Sequence, residues 1–394
     1  MTTIADRFEL KYQETEHRRI VSGVEVIVHC HHYNARLQNT VESAQGIDGK
    51  SIIVNSAEAA CYSPICEAFR EGDDNAAKWL AAAGFYAHIG FGTLDFQSVE
   101  EGTIYGPSSH YVEGWATGFK QKDGPVCSFT QGYLQAAVRA VTNEVVTITE
   151  VECINTGASR CRFEIDRTQS KLAVENTKNS HGFTPKPSSY QSKLSNIDET
   201  AIINALVAMP IFGNDEGLIA AFGVYLACTP ADYYNLVNVR FIEEMTKIGK
   251  FGVAKQMLFN AGETCAINTF RGIMDSPEWE GLIAPMIQDE KDSLFALVSL
   301  SNAFGWGNWY VTDHDPDESL TIESINGYEA YGALEYGEPC ENPQCFMLAG
   351  VAAGMMELIY SEGSIQDRFG TFISEENDCI SNQNSCCTFS VEAA

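Results

Sequence analysis

Residues 150–164 read EVECINTGASRCRFE, with a carboxylate at Glu150 and thiols at Cys153 and Cys161. The pattern returns near the C-terminus, where Glu376 lies three residues before Cys379 and Cys387 lies eight after it. Each copy also has an earlier cysteine at the start of a helical stretch, Cys127 in CSFTQGYLQAAVRAV and Cys345 in CFMLAGVAAGMMELI. Three thiolates and one carboxylate make a four-ligand set of the kind that tetrahedral zinc takes, and soft thiolates favour zinc over magnesium or calcium. A hairpin would present the later two cysteines from its two strands, with the Glu just upstream. A cysteine at a helix start has its thiol pKa lowered by the helix dipole. Four protein donors leave no position for water, so both sets read as structural zinc sites, two ions per chain. The sets are Cys127, Glu150, Cys153 and Cys161, then Cys345, Glu376, Cys379 and Cys387. A single buried cysteine packs as a small apolar residue, but a repeated constellation asks for a shared cause. Cys386 beside Cys387 leaves the register of the second set open.

A second candidate occurs only once. VHCHHYN places three of the chain's eight histidines within four positions, and the corresponding LACTPADYYN has none. On a strand, His29 and His31 point to one face, and His32 to the other with Cys30. Two imidazoles on one face suit a catalytic transition metal, joined by His88, His110 or a carboxylate. Two other readings stay open. One is a polar strand end with satisfied or exposed histidines. In the other, His32, Tyr33 and Asn34 anchor a ligand, matched by Asp232, Tyr234 and Asn235.

These residues are carried by elements that recur in order. Each half begins with an apolar strand-like run ending near a Tyr-Asn pair, VEVIVHCHHYN and FGVYLACTPADYYN. Helical stretches follow, then a glycine-aromatic run, GFGTLDF or GWGNWYV. Next comes the Cys-led helix, and each half closes on the Glu-x-x-Cys phrase. Period-2 alternation in VTITEVECI predicts a strand there. Between the halves, 167–198 is polar, locally basic and carries two prolines, as a linker does. The expected architecture is α+β: two tandem copies of a helix-plus-antiparallel-sheet domain, 1–166 and 199–394, joined by 167–198.

The formal net charge of −28 excludes nucleic acid as a partner, because phosphate binding needs clustered Lys and Arg. It equally disfavours an anionic membrane surface. No window approaches the ~18 apolar residues of a membrane span, and the charged N-terminal stretch MTTIADRFELKYQETEHRR lacks a signal-peptide core. Thirteen cysteines without export point to a reducing compartment, so a cytoplasmic location is expected. GFGTLDF and GWGNWYV are not dinucleotide fingerprints, and neither GxSxG nor HExxH occurs.

Gly114-Trp115, Cys127, Gly132, then Glu150, Cys153, Cys161 and Arg162-Phe163-Glu164, at these spacings, resemble the 4-vinyl reductase, or hydrocarbon-binding, domain family. That fold occurs in sensor modules of phenol- and xylene-responsive activators, where one Glu and three Cys hold zinc beside an internal apolar pocket. The resemblance implies zinc at the first quartet and, through the repeat, at the second. It also suggests a homodimer. The chain departs from those activators in having no GxxxxGK[ST] loop and no basic helix-turn-helix.

Aromatics crowd the region before each first cysteine, Phe91 and Trp115 in one half, Trp306 and Trp309 in the other. With Tyr33, Asn34, Tyr234 and Asn235 they are the candidate ligand-binding residues for a small apolar or aromatic molecule. The leading expectation is a zinc-stabilised binding protein, a carrier or sensor without a DNA-binding module. The alternative is a metal-dependent enzyme, an oxidoreductase on a small organic substrate, using His29, His31 and His32.

Overall fold

Two hairpins with the same two-residue turn meet at the centre of the molecule. The computed structural model describes residues 7–8, 10–119, 124–168, 171–179, 184–187, 192, 194–337 and 342–394. The first half runs β1 (Leu10–Gln13), β2 (Arg18–Val21), β3 (Val24–Cys30), α1 (His31–Glu42), α2 (Gly49–Glu67), α3 (Asn75–His88), β4 (Gly92–Asp95) and β5 (Thr103–Ser109). It continues through α4 (His110–Gly118), α5 (Ser128–Thr142), β6 (Thr147–Glu152) and β7 (Cys161–Asp166).

The second half runs α6 (Glu199–Val207), β8 (Ile219–Ala221), β9 (Val224–Pro230), α7 (Ala231–Lys247), α8 (Phe251–Cys265), α9 (Arg271–Met274), α10 (Pro277–Leu282) and α11 (Glu290–Ala303). It ends with β10 (Asn308–Asp315), β11 (Ser319–Ile325), α12 (Tyr328–Tyr336), α13 (Phe346–Tyr360), α14 (Ile365–Arg368), β12 (Phe372–Asp378) and β13 (Cys387–Ala393). A π-helical turn, Ala266–Phe270, separates α8 from α9.

The β2–β3 turn is Ser22-Gly23 and the β8–β9 turn is Phe222-Gly223, all four residues at positive φ. Two left-handed residues match the right-handed twist of the flanking strands, which makes this turn favourable in hairpins. The strands after the two turns pair with each other. β3 and β9 run antiparallel, symmetric about Val28–Cys228, with Val26 opposite Pro230 and Cys30 opposite Leu226. The result is one five-stranded sheet, ordered β1-β2-β3-β9-β8, drawn from both sides of residues 167–198. Each central strand leads directly into a helix, β3 into α1 and β9 into α7. An approximate internal two-fold therefore passes through the sheet centre, and one continuous apolar core covers both halves.

Two further four-stranded sheets carry the Glu-x-x-Cys phrases, ordered β4-β5-β7-β6 and β10-β11-β13-β12. Behind them α5 packs on α2, and α13 on α8. The packing is so close that a Cβ at Gly132 would lie 2.1 Å from the Val54 carbonyl oxygen, and one at Gly350 2.0 Å from that of Phe259. That approach explains the glycine five residues after each first cysteine.

The 167–198 segment is not a free tether where it is described. Lys171 and the Val174 N–H reach the buried Glu58 carboxylate, while Asn176 bonds Asp232 at 2.8 Å. No helix among the described residues is long and apolar enough to cross a membrane.

Candidate functional site

The two Cys/Glu quartets come together in three dimensions. In each, four potential ligand atoms lie within 4.8 Å of one another. Cys127 stands immediately before α5 and Cys345 immediately before α13. The other two cysteines come from the hairpins β6–β7 and β12–β13. A β-bulge falls inside each Glu-x-x-Cys phrase, between Glu150 and Glu152 and between Glu376 and Asp378. The extra residue re-aims the strand, so that Glu and Cys, three apart, reach the same point.

Sulfur separations identify what the quartets can do. Cys161 Sγ lies 3.8 Å from both Cys127 Sγ and Cys153 Sγ. In the second quartet the three separations are 3.7, 3.7 and 3.6 Å. A disulfide would bring two sulfurs to about 2.05 Å. Thiolates bound at about 2.3 Å on a tetrahedral ion stand roughly 3.8 Å apart.

One Glu150 oxygen accepts from the Cys127 N–H at 2.8 Å, and one Glu376 oxygen from the Cys345 N–H at 2.7 Å. The second oxygen of each carboxylate is buried with no hydrogen-bond partner. A buried, unsatisfied carboxylate oxygen beside three sulfurs fits a cation in both places. Burial pushes Glu150 up to about 8 and raises Glu376, a penalty that a bound cation would relieve. Hydrogen bonds from the neighbouring thiols hold Cys153 and Cys379 well below the ordinary thiol range. Both clusters can hold a metal ion. Cys387 is the member of the second; the half-buried Cys386 has its Sγ 3.8 Å from a Glu323 oxygen instead.

The histidines are arranged differently from the strand expectation. β3 ends at Cys30, whose sulfur accepts the Tyr33 N–H and caps α1, so His31 and His32 belong to a helix. The alternation that would put His29 and His31 on one face is thereby broken. His29 stacks between Tyr33 at 4.1 Å and Trp306 at 4.6 Å, ring centroid to centroid, with both ring nitrogens buried and unpartnered. Burial lowers its pKa to about 3. His31 Nδ1 accepts the Tyr225 N–H at 3.1 Å, and His110 Nε2 contacts the Asn34 amide at 2.9 Å. Among the described residues, the groups of three or more converging metal ligands are the two Cys/Glu quartets, and no histidine joins them.

Most candidate ligand-binding aromatics are core residues. Phe91 stacks on Phe129 at 4.2 Å, Trp309 lies 5.6 Å from Phe389, and Trp306 Nε1 donates to the Val28 carbonyl at 2.9 Å. Trp115 packs on Phe119 at 4.4 Å. The Tyr234 hydroxyl donates to Asn34 Oδ1 at 2.6 Å, tying α7 to α1 across the two-fold. None of these residues borders the largest cavity; Asn235 does, and Tyr33 borders a smaller one.

That largest cavity is a cleft of about 520 Å³ between α7, α12 and the start of α13, walled by Val239, Ile242, Phe251, Ala333 and Phe346. Its size falls in the range of about 300–1,000 Å³ typical of small-molecule sites. Phe346 follows Cys345 directly, so the second quartet positions one wall. Glu329 supplies a polar point: its carboxylate accepts from the Met347 and Leu348 N–H groups and from Asn238. Burial pushes that carboxyl up to about 8. Sequence reasoning missed Ile242, Glu329 and Phe346. The signal available was an apolar residue next to a ligand cysteine where the first half has Ser128.

The family model of the 4-vinyl reductase domain matches residues 115–167, the stretch holding the first quartet. Among solved structures, the chain is similar to the phenol-responsive sensory domain of the transcription activator PoxR, solved with phenol. The identity is 14%, covering 41% of this chain and 85% of that one, with a TM-score of 0.33. No curated protein matches the chain.

Proposed function

We propose that this protein is a zinc-stabilised binder of a small apolar or aromatic molecule, acting as a carrier or sensor. In this reading two copies of a 4-vinyl-reductase-like domain, 1–166 and 199–394, are joined by 167–198 and locked together by the shared sheet. Cys127, Glu150, Cys153 and Cys161 hold one zinc ion; Cys345, Glu376, Cys379 and Cys387 hold the other. With four protein donors, each ion would staple a hairpin to a helix start and leave no open coordination position for catalysis. The observation that carries the binding role is the apolar cleft seated against the second quartet, with Glu329 as its buried polar anchor. A protonated Glu329 would offer an O–H to a ligand hydroxyl or carbonyl. Unpaired thiols favour the cytoplasm as its compartment.

The test combines elemental analysis, native mass spectrometry and titration calorimetry on purified protein. Two zinc ions per chain and saturable binding of phenol or a similar small aromatic are expected. The native spectrum also counts chains, and so tests the homodimer suggested by the resemblance. Absence of zinc from reduced protein would overturn the metal assignment. Lack of saturable binding across a panel of apolar and aromatic molecules would overturn the binding role.

A further inference from the structure

A second cavity, of about 170 Å³, opens where α1 meets the end of α4 and the end of α8, bordered by His32, Tyr33, Arg36, Phe119, Cys265 and Asn268. Its distinctive feature is Arg36. The guanidinium lies 5.4 Å from the Phe119 ring centroid and has no ion pair or hydrogen bond among the described residues. In a chain with 53 acidic and 25 basic side chains, an unpaired arginine in a cavity wall needs a reason. Burial holds its pKa below the ordinary value, and a partly desolvated cation without a counter-charge is costly. His32 adds a second unsatisfied group, since its Nδ1 is buried without a partner.

The internal two-fold supplies a control. The corresponding cavity of the second half, about 300 Å³, is bordered by Arg18, Glu25, Lys178, Asp232 and Glu335. Asp232 takes the place of His32, and Glu335 that of Thr117. There the chain neutralises its own charges: Arg18 pairs with Glu25, and Lys178 reaches Asp232 at 3.0 Å and Glu335 at 2.8 Å. In the first half no such residue arrives at Arg36.

We propose that the Arg36 cavity binds a small monocarboxylate with a flat apolar body. The guanidinium fork would accept the carboxylate in two parallel hydrogen bonds, with Tyr33 and Phe119 flanking the body. A phosphate or sulfate fits less well, because the wall is short of free donors. Thr117 and Thr264 already donate to the carbonyls of Glu113 and Asn260, and the Asn268 amide to that of Thr264. One cation matches one negative charge.

The experiment is calorimetric titration of the full chain with benzoate, acetate, the neutral isostere benzamide, and inorganic phosphate. Saturable benzoate binding is expected, with benzamide and phosphate each weaker by about ten-fold or more. Arg36→Gln should weaken benzoate by about ten- to hundred-fold, the usual worth of a charge-assisted pair, and Arg36→Lys by less. If Arg36→Gln does not fold, the benzoate–benzamide contrast in wild type and the Arg36→Lys titration carry the test. Equal binding of benzoate and benzamide, unchanged benzoate affinity in the folded variants, preference for phosphate, or no saturable carboxylate binding would each overturn the proposal.

Discussion

The two halves place the same elements around the same kind of groove, and only one groove is open. α1 faces α4 in the first half as α7 faces α12 in the second, with Ala35 against Gly114 and Asn235 against Gly332. In the first half the groove is sewn shut. Gln38 donates to the Val126 carbonyl at 2.8 Å, Ser128 to the Glu42 carboxylate at 2.6 Å, and the Trp115 ring occupies the next position on α4. In the second half those places belong to Asn238, Phe346, Ile242 and Ala333, and they wall the cleft. A bulky ring has become a methyl group, and a closing hydrogen bond has become an apolar pair. The difference teaches that duplicated scaffolds diverge through side-chain volume while the backbone frame is kept.

The largest expected effect comes from breaking a quartet. Cys379→Ser should lower the metal count by one per chain and cost several kcal/mol of stability, part of the roughly 10–16 kcal/mol that a structural zinc ion supplies. It should also weaken binding in the cleft, because Phe346 is anchored through Cys345. Cys153→Ser should lose one ion too, yet leave cleft affinity nearly unchanged. Elemental analysis with calorimetric titration distinguishes the two, and equal loss of binding in both variants would contradict the assignment of the cleft to the second half.

Making the second half resemble the first is the next test. Ala333→Trp should fill the cleft and reduce affinity for the small aromatic ligand by about 100-fold or more, with both metal ions retained. Overpacking of this kind costs about 1–3 kcal/mol where the space is already filled, so a small change in melting temperature would itself indicate that the space was empty. Undiminished binding in the folded variant would move the ligand site elsewhere.

A smaller effect concerns His29, on the seam between the halves. Its folded pKa, about 3, lies below the ordinary value of 6.5 because burial disfavours the charged ring. Between these values the unfolded chain binds more protons than the folded one, so stability is full above pH 6.5 and falls as pH drops towards 3. The limiting slope for one such group is about 1.4 kcal/mol per pH unit. His29→Gln should flatten the acid limb relative to wild type, in denaturant unfolding measured from about pH 7 to about pH 4. An identical slope would mean that His29 stays neutral in both states.

The smallest expected effect tests the closure itself. Gln38→Ala removes the bond to Val126 and should cost about 1 kcal/mol, whereas Asn238→Ala, at the rim of the open cleft, should cost less. Reversal of that order, read from chemical denaturation midpoints, would show that the first-half groove is not held by this contact.

The sequence was most legible where chemistry is local. Each quartet depends on a hairpin, a helix start and a fixed Glu-x-x-Cys spacing, so its members could be named from their order alone. The order of elements was legible for the same reason, as was the strand Thr147–Glu152, where side chains alternate between core and solvent. The histidine run was misjudged because alternation continues only while the strand does. Whether Cys30 continues β3 or caps α1 depends on packing beyond the local pattern. The aromatic candidates shared this weakness, since Trp306, Trp309 and Phe91 have the composition of a pocket wall and the burial of a core.

By itself, then, the sequence determined the ligand sets, the repeated plan and the acidic surface, all of which follow from residue type and short-range spacing. Only the tertiary structure decided that β3 pairs with β9, because strands about 200 residues apart carry no local signal of their partner. It also decided which groove is open, since that depends on whether Trp115 or Ala333 stands opposite a neighbouring helix. And it left Arg36 without a counter-charge, because its acidic neighbours along the chain turn to other partners.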